Sequence, residues 1–276
     1  MLELHCHTTC SDGTLTPSEL VRAAARAGIR ALALTDHDTI AGWDEARDAC
    51  TQHGLELVPG LELSTSHNGF SLHILGFYPD PKRIEAFLAE RHAARVRRAR
   101  HMVERLGELG YPIAMPDVPT PGRPHIAKAL CEAGYVRHEQ EAFERWLGEG
   151  RPAYVPYERL SSEDGIRALR ASGAVPVWAH PMLFRGGNVE QVLPVLVEAG
   201  LQGVEVYHCE HSPRQSARLL KMIEPYGLIA TGGSDFHGTN KDGVELNMLR
   251  LPLTLLGPLK HLANVDRMDT TGVLVK

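Results

Sequence analysis

The chain has 276 residues, room for one barrel-sized domain or two ordinary ones, and its 43% apolar and 23% charged content is that of an ordinary globular protein. A net charge of −5 gives no sign of a broad nucleic-acid-binding surface, although a local basic pocket remains compatible with it. No apolar run approaches the ~18 residues of a membrane span, the N-terminus enters a strand-like pattern at once, and the five cysteines include no CxxC pair, so a cytoplasmic protein without membrane span, secretory signal or disulfide scaffold is expected.

Leu2 to His5 reads as a short strand. Thr16-Pro17-Ser18-Glu19 opens a helix, with Thr16 as cap, Pro17 in the first turn and Glu19 completing a capping box. That helix ends at Gly28, and Ala31 to Thr35 is the next buried strand. Leu55 to Val58 and Ser71 to Leu75 are two more. The segment from Pro81 to about Ser172 then breaks the rhythm with a long Arg-rich helix, Ile84 to Leu109, a proline-rich turn, and short helices around His125 to Ala133 and Glu139 to Leu147. The arginines from Arg91 to Arg105 read mostly as a solvated helix face. Val175 to Ala179 resumes the strand pattern, and a helix runs from near Asn188 to Gly200. Gly203 to Tyr207 is a strand, Ser212-Pro213 with Gln215 opens a helix closing at Gly227, and Leu228 to Thr231 is the last clear strand. Leu251 to Leu262 reads as a closing element packed on the rest.

Strands alternating with capped helices indicate parallel βα units of an α/β fold. Seven of them suit a closed or nearly closed barrel made of 1–80 and 173–276, with active-site groups on the loops after the strands' C-terminal ends. The 81–172 segment is expected to be a helical insertion capping the barrel mouth, with an independent second domain as the alternative.

Six histidines and three carboxylates stand where apolar runs give way to loops: His5, His7, Asp12, His37, Glu62, His73, His180, Asp235 and His237. In His5-x-His7 the period of two puts both imidazoles on one face of a strand, and Asp12 follows on a loop able to fold back over the same mouth. One metal takes three or four protein ligands, so nine candidates imply a multi-metal centre. Cys6 and Cys10 flank ligand positions, but the imidazole and carboxylate set is complete without them. Asp36 and Asp38 flank His37 and are expected to orient it, or, for Asp38, to cap the following helix. His73 has a purely structural reading as well, as an ordinary strand residue.

These motifs, His5-Cys-His-Thr-Thr-Cys-Ser-Asp-Gly13, Thr35-Asp-His-Asp-Thr39, Gly60-Leu-Glu62, Ala179-His-Pro181 and Gly233-Ser-Asp-Phe-His-Gly238, resemble in order those of the PHP (polymerase and histidinol phosphatase) superfamily. The resemblance covers residue 1 to about 240. It implies a distorted, TIM-like barrel of seven strands with a helical insertion between the fourth and fifth, holding two or three divalent ions such as manganese, zinc or iron. It also implies that His5, His7, Glu62 and Asp235 hold one metal, that Glu62, His73 and His180 hold a second, and that Asp12, His37 and His237 hold a third.

Within the superfamily the chain is most similar to bacterial nucleotide phosphoesterases. The likeness implies removal of the 5′-phosphate from 3′,5′-bisphosphonucleosides such as pAp, and trimming of short RNA from its 5′ end. Arg123 and His125 at a helix start suit an anionic phosphate. His208, at the end of the sixth strand, faces the mouth and serves as leaving-group acid or phosphate ligand. Asp36 joins it as a catalytic candidate, and Arg185, with Lys241 beside the last motif, is a further substrate contact. Glu205 reads as structural or as a cation's partner. The competing readings are a histidinol-phosphate phosphatase, a non-catalytic PHP binding module, and a polymerase-type 3′-exonuclease acting alone. The expected partners are phosphorylated nucleotides and short RNA, with no membrane and no obligate protein partner.

Overall fold

A computed structural model describes residues 1–118, 121–156 and 160–264. Seven strands form one sheet in the order of the chain: β1 (Leu2–Glu3), β2 (Ala31–Leu34), β3 (Glu56–His67), β4 (Phe70–Phe77), β5 (Val175–Trp178), β6 (Gly203–His208) and β7 (Ile229–Gly233). The sheet curls until its ends meet. Ser234 N–H donates to the Glu3 carboxylate at 2.7 Å, Asp235 N–H to His5 O at 2.9 Å, and His7 N–H to Phe236 O at 2.9 Å. The result is a nearly closed α/β barrel.

The helices follow the capping signals. In α1 (Pro17–Arg26) Thr16 accepts from Glu19 N–H and Glu19 answers to Thr16 N–H, and in α8 (Pro213–Ile223) Ser212 and Gln215 make the same reciprocal pair. Asn188 caps α7 (Val189–Glu198). On β2 alternate residues serve two cores. Leu32 and Leu34 pack with Leu20 and Val21 of α1 and with Trp43 and Ala46 of α2 (Trp43–His53). Ala31 and Ala33 pack with Val58, Leu75 and Val177, and with Leu256 and Leu259 of α9 (Leu256–Leu262), the closing element expected from the sequence.

β4 departs from the parallel pattern. It pairs antiparallel with both β3 and β5, whereas the other neighbours are parallel. Asn68 and Gly69, both at positive φ, make the two-residue turn that reverses the chain. β3, expected from Leu55 to Val58, also runs nine residues further, because pairing with β4 carries it to His67. Glu62, expected on a loop, therefore lies inside β3, and His73 reaches the mouth from within an antiparallel strand.

The chain divides into two compact units, Met1–Glu85 with Leu160–Lys276, and Ala86–Arg159. The helix α6 (Ser162–Ala171), expected in the insertion, packs on β3, β4 and β5, where Leu169 lies against Gly76. The second unit contains most of α3 (Pro81–Glu108), α4 (Arg123–Glu132), and α5 (Glu139–Ala142) with its following turn Phe143–Leu147. Its core joins Met102 and Leu106 to Ile126, Leu130 and Trp146. Residues 265–276, expected in the barrel, lie outside the described residues.

Candidate metal centre

All nine predicted ligand residues meet at one end of the barrel. Glu62, almost fully buried, is the hub. Its Oε2 lies 3.3 Å from His5 Nε2, 3.2 Å from His7 Nε2 and 3.2 Å from His37 Nδ1, and its Oε1 lies 2.9 Å from His73 Nδ1 and 3.0 Å from His180 Nε2. Asp235 Oδ1 sits 3.3 Å and 3.2 Å from the same nitrogens of His5 and His7. Asp12, the exposed member, places Oδ1 3.3 Å from His237 Nε2 and Oδ2 3.7 Å from His37 Nε2.

Ring orientation separates ligands from donors. His5 Nδ1–H points at Glu205 Oε1, 2.9 Å away, and His237 Nδ1–H at the Asp235 carbonyl, 2.9 Å away. In both rings the lone pair on Nε2 is thereby free to face the cluster. The buried Nε2 atoms of His5 and His7, Nδ1 of His37 and Oδ1 of Asp235 make no hydrogen bond. Orphaned polar atoms that converge in a buried site are what a ligand set for cations requires. Two groups, His5–His7–Glu62–Asp235 and His7–Asp12–His37–His237, each bring their ligand atoms within 4.8 Å of one another, and His37–Glu62–His73 makes a third.

The electrostatics agree. Burial alone raises a carboxyl, but the imidazoles of His37, His73 and His5 and the hydrogen bond from His180 hold Glu62 well below the usual carboxylate range. Asp235 is likewise driven far down against its burial by His5, His208 and His7. Conversely, burial works against charge on His7, yet the neighbouring Asp235 and Glu62 carboxylates push its imidazole up to about 9. The carboxylates call for positive charge at their centre, as a cation site would provide.

The backbone aims these groups. His180 and Asp235 both sit at positive φ, 33° and 55°, costly for residues with a side chain. Each is pinned: His180 N–H donates to Glu205 Oε2 at 2.8 Å, and Asp235 N–H to His5 O. A register shift in β6 between Glu205 and Tyr207 acts as a bulge. It lets Glu205 and His208, three residues apart, both address the cluster, which a regular strand forbids.

Several expectations are corrected. Asp36 does not orient His37 or touch the cluster. Its carboxylate accepts from Thr8 N–H at 2.7 Å, Thr8 Oγ–H at 2.7 Å and Ser11 Oγ–H at 2.6 Å, and so fixes the loop that carries Asp12. Asp38 caps no helix, because α2 begins only at Trp43 with Gly42 as cap. Asp38 Oδ1 instead accepts from Ser64 N–H at 2.9 Å. Cys6 donates its thiol to Ala33 O and packs among the apolar residues behind β2.

His208 is buried, with Nε2 3.7 Å from Asp235 Oδ2. Its Nδ1 accepts the Glu210 N–H at 3.1 Å, so the neutral ring carries its proton on Nε2. That makes it a donor rather than a ligand. His208, Cys209 and Glu210 also approach one another, a grouping the sequence reading missed, but the Glu210 carboxylate is taken by Lys241 at 3.0 Å. Lys241 binds Asp235 Oδ2 as well, at 2.8 Å, so it braces a cluster carboxylate. Arg185 is exposed on the loop beyond Phe184. In the helical unit the Arg123 guanidinium lies over the rings of Phe143 and Tyr154, 5.7 and 5.8 Å from their centres, and His125 Nδ1 accepts from Gly122 N–H at 3.1 Å.

Residues 3–136 match the model of the PHP domain. The chain is 35% identical to a 5′-3′ exoribonuclease of Haemophilus influenzae, over 85% of this chain and 89% of that protein. It is also 35% identical to a 3′,5′-nucleoside bisphosphate phosphatase of Chromobacterium violaceum, over 89% and 90%. A solved chain from Bifidobacterium adolescentis, described as a candidate metal-dependent phosphoesterase, superposes with a TM-score of 0.74 at 35% identity, covering 99% of this chain and 98% of that one. With its barrel, its imidazole–carboxylate centre and these relatives, the chain belongs to the PHP family of metal-dependent phosphoesterases.

Proposed function

We propose that the chain removes the 5′-phosphate of 3′,5′-bisphosphonucleosides and trims short 5′-phosphorylated RNA at the same centre, using two or three divalent cations drawn from manganese, zinc and iron. The observation that carries this reading is the convergence of five imidazoles on Glu62, in a barrel related over most of its length to proteins named for those two activities. In this reading His5, His7, Glu62 and Asp235 hold one cation, Glu62, His73 and His180 a second, and Asp12, His37 and His237 a third. Bound there, cations would neutralise phosphoryl oxygens and activate water.

The remaining steps belong to the chain's own groups. His208, with its proton held on Nε2 by the Glu210 N–H, donates to the ester oxygen as it leaves. Asp36 and Lys241 act through others, by fixing the Asp12 loop and Asp235. Arg123 and His125, at a helix start, are assigned to the second phosphate, and Arg185 is a further substrate contact. Stacking of Arg123 on two aromatic rings leaves its N–H edge available for an anion. The five free thiols accord with a reducing, cytoplasmic setting, and no described helix is long and apolar enough to cross a membrane.

The test is a side-by-side assay of pAp, AMP, histidinol phosphate and a 5′-phosphorylated dinucleotide after loading with manganese or zinc. Preference for pAp and the dinucleotide is expected, and preference for histidinol phosphate would replace the reading by its competitor. Arg123→Ala should raise KM for pAp far more than for AMP, whereas equal effects would remove Arg123 from the second phosphate.

A further inference from the structure

The barrel unit holds an open cavity of about 310 Å³ beside the cluster. Part of its wall is the cluster itself, with Glu62, His73 and His180, and another part is apolar, from Leu72, Leu183 and Phe184. A phosphoryl group alone needs no apolar wall. A cavity of this size suits a small organic ligand, with polar groups fixing one end and an apolar surface covering the other.

Phe184 is held in place. Its ring meets Trp178 edge-to-face at 6.1 Å and His67 at 6.3 Å. On a further side it rests against Gly186, where an added Cβ would fall 2.4 Å from the Phe184 ring. It is only half-buried, and it lines the cavity. The short turn Pro181–Leu183 is all that separates it from His180, so its position relative to the cluster is fixed by a few residues of ordered backbone.

We propose that Phe184, backed by Leu183 and Leu72, is the stacking platform for the nucleobase of the substrate whose 5′-phosphate sits at the cluster. This rests on the function proposed above and adds the element that selects nucleosides over plain sugar phosphates. Base–aromatic stacking is tolerant of base identity, so the platform predicts a preference for nucleotides without strong discrimination among bases.

The experiment compares the metal-loaded wild type, Phe184→Ala and Phe184→Tyr on pAp and on ribose 5-phosphate, which presents a 5′-phosphate without a base. Phe184→Ala is expected to raise KM for pAp about tenfold while leaving ribose 5-phosphate kinetics unchanged, and Phe184→Tyr should restore the wild-type KM. Equal losses on both substrates, or no loss on pAp, overturn the platform. Calorimetric binding of adenosine 3′-phosphate is read in parallel. Phe184-dependent binding by a protein that leaves pAp intact would sustain the platform and sink the proposed reaction. Hydrolysis of pAp with Phe184-independent binding would do the reverse.

Discussion

Glu205 holds His5 by its ring and His180 by its backbone: Oε1 lies 2.9 Å from His5 Nδ1, and Oε2 accepts the His180 N–H at 2.8 Å. One buried carboxylate thus sets the tautomer of one cluster imidazole and clamps the left-handed backbone of another. Glu205→Gln keeps the shape but can present an N–H to His5, which would move the proton to Nε2 and block its lone pair. Metal affinity or turnover should fall by about 10- to 100-fold, as for other groups that orient metal-bound histidines. Metal retained per chain at fixed free-metal concentrations is the readout, and an unchanged titration would show that Glu205 only fills space.

Removal of metal should abolish activity without unfolding the barrel, whose apolar cores are built without the nine cluster residues. Binding to the native state alone, at 100 times Kd, adds ~2.7 kcal/mol per site. For a domain of this size that corresponds to a fall in Tm of roughly 5–10 °C for each site that chelation empties. Scanning calorimetry with and without chelator, followed by add-back of manganese or zinc, checks it. A Tm indifferent to metal would contradict a loaded centre in the native protein.

Gly233 lies where the ends of the sheet meet. A Cβ there would stand 2.4 Å from both Cβ and N of His5 and 2.8 Å from Glu3 Oε1. Two of those atoms belong to or adjoin backbone and cannot turn aside, so Gly233→Ala should destabilise by about 1–3 kcal/mol and displace His5. Urea denaturation and metal titration should show both losses together. A loss of stability with full metal affinity would mean that His5 does not depend on this contact.

Cys50 of α2 is buried among apolar residues, and burial pushes its thiol up to about 11. Because the folded state resists its ionisation, its contribution is complete below the unfolded thiol's pKa of ~8.5 and is lost as pH rises from there towards 11. The stability advantage of the wild type over Cys50→Ala should therefore shrink between pH 8.5 and 10.5. Paired urea titrations across that range measure it, and a constant difference would exclude the coupling.

The sequence already determined the make-up of the cluster, because imidazoles and carboxylates at strand ends have few structural uses in such number and the motifs fix their order. It also determined α1, α7 and α8, since caps are local hydrogen bonds between residues two or three apart. The reversal of β4 was legible too: Asn68-Gly69 between two strand-like runs is a hairpin signal, and the parallel rhythm of the neighbouring units masked it. Only the tertiary structure decided the rest. Asp36 looked like a partner of its neighbour His37, yet it bonds Thr8 and Ser11 from a different loop, contacts that chain proximity does not reveal. The aim of Glu205 and His208 depends on a bulge in β6, and the His208 proton on the Glu210 N–H, so a role that reads as residue type in the sequence is set by where a strand slips by one residue.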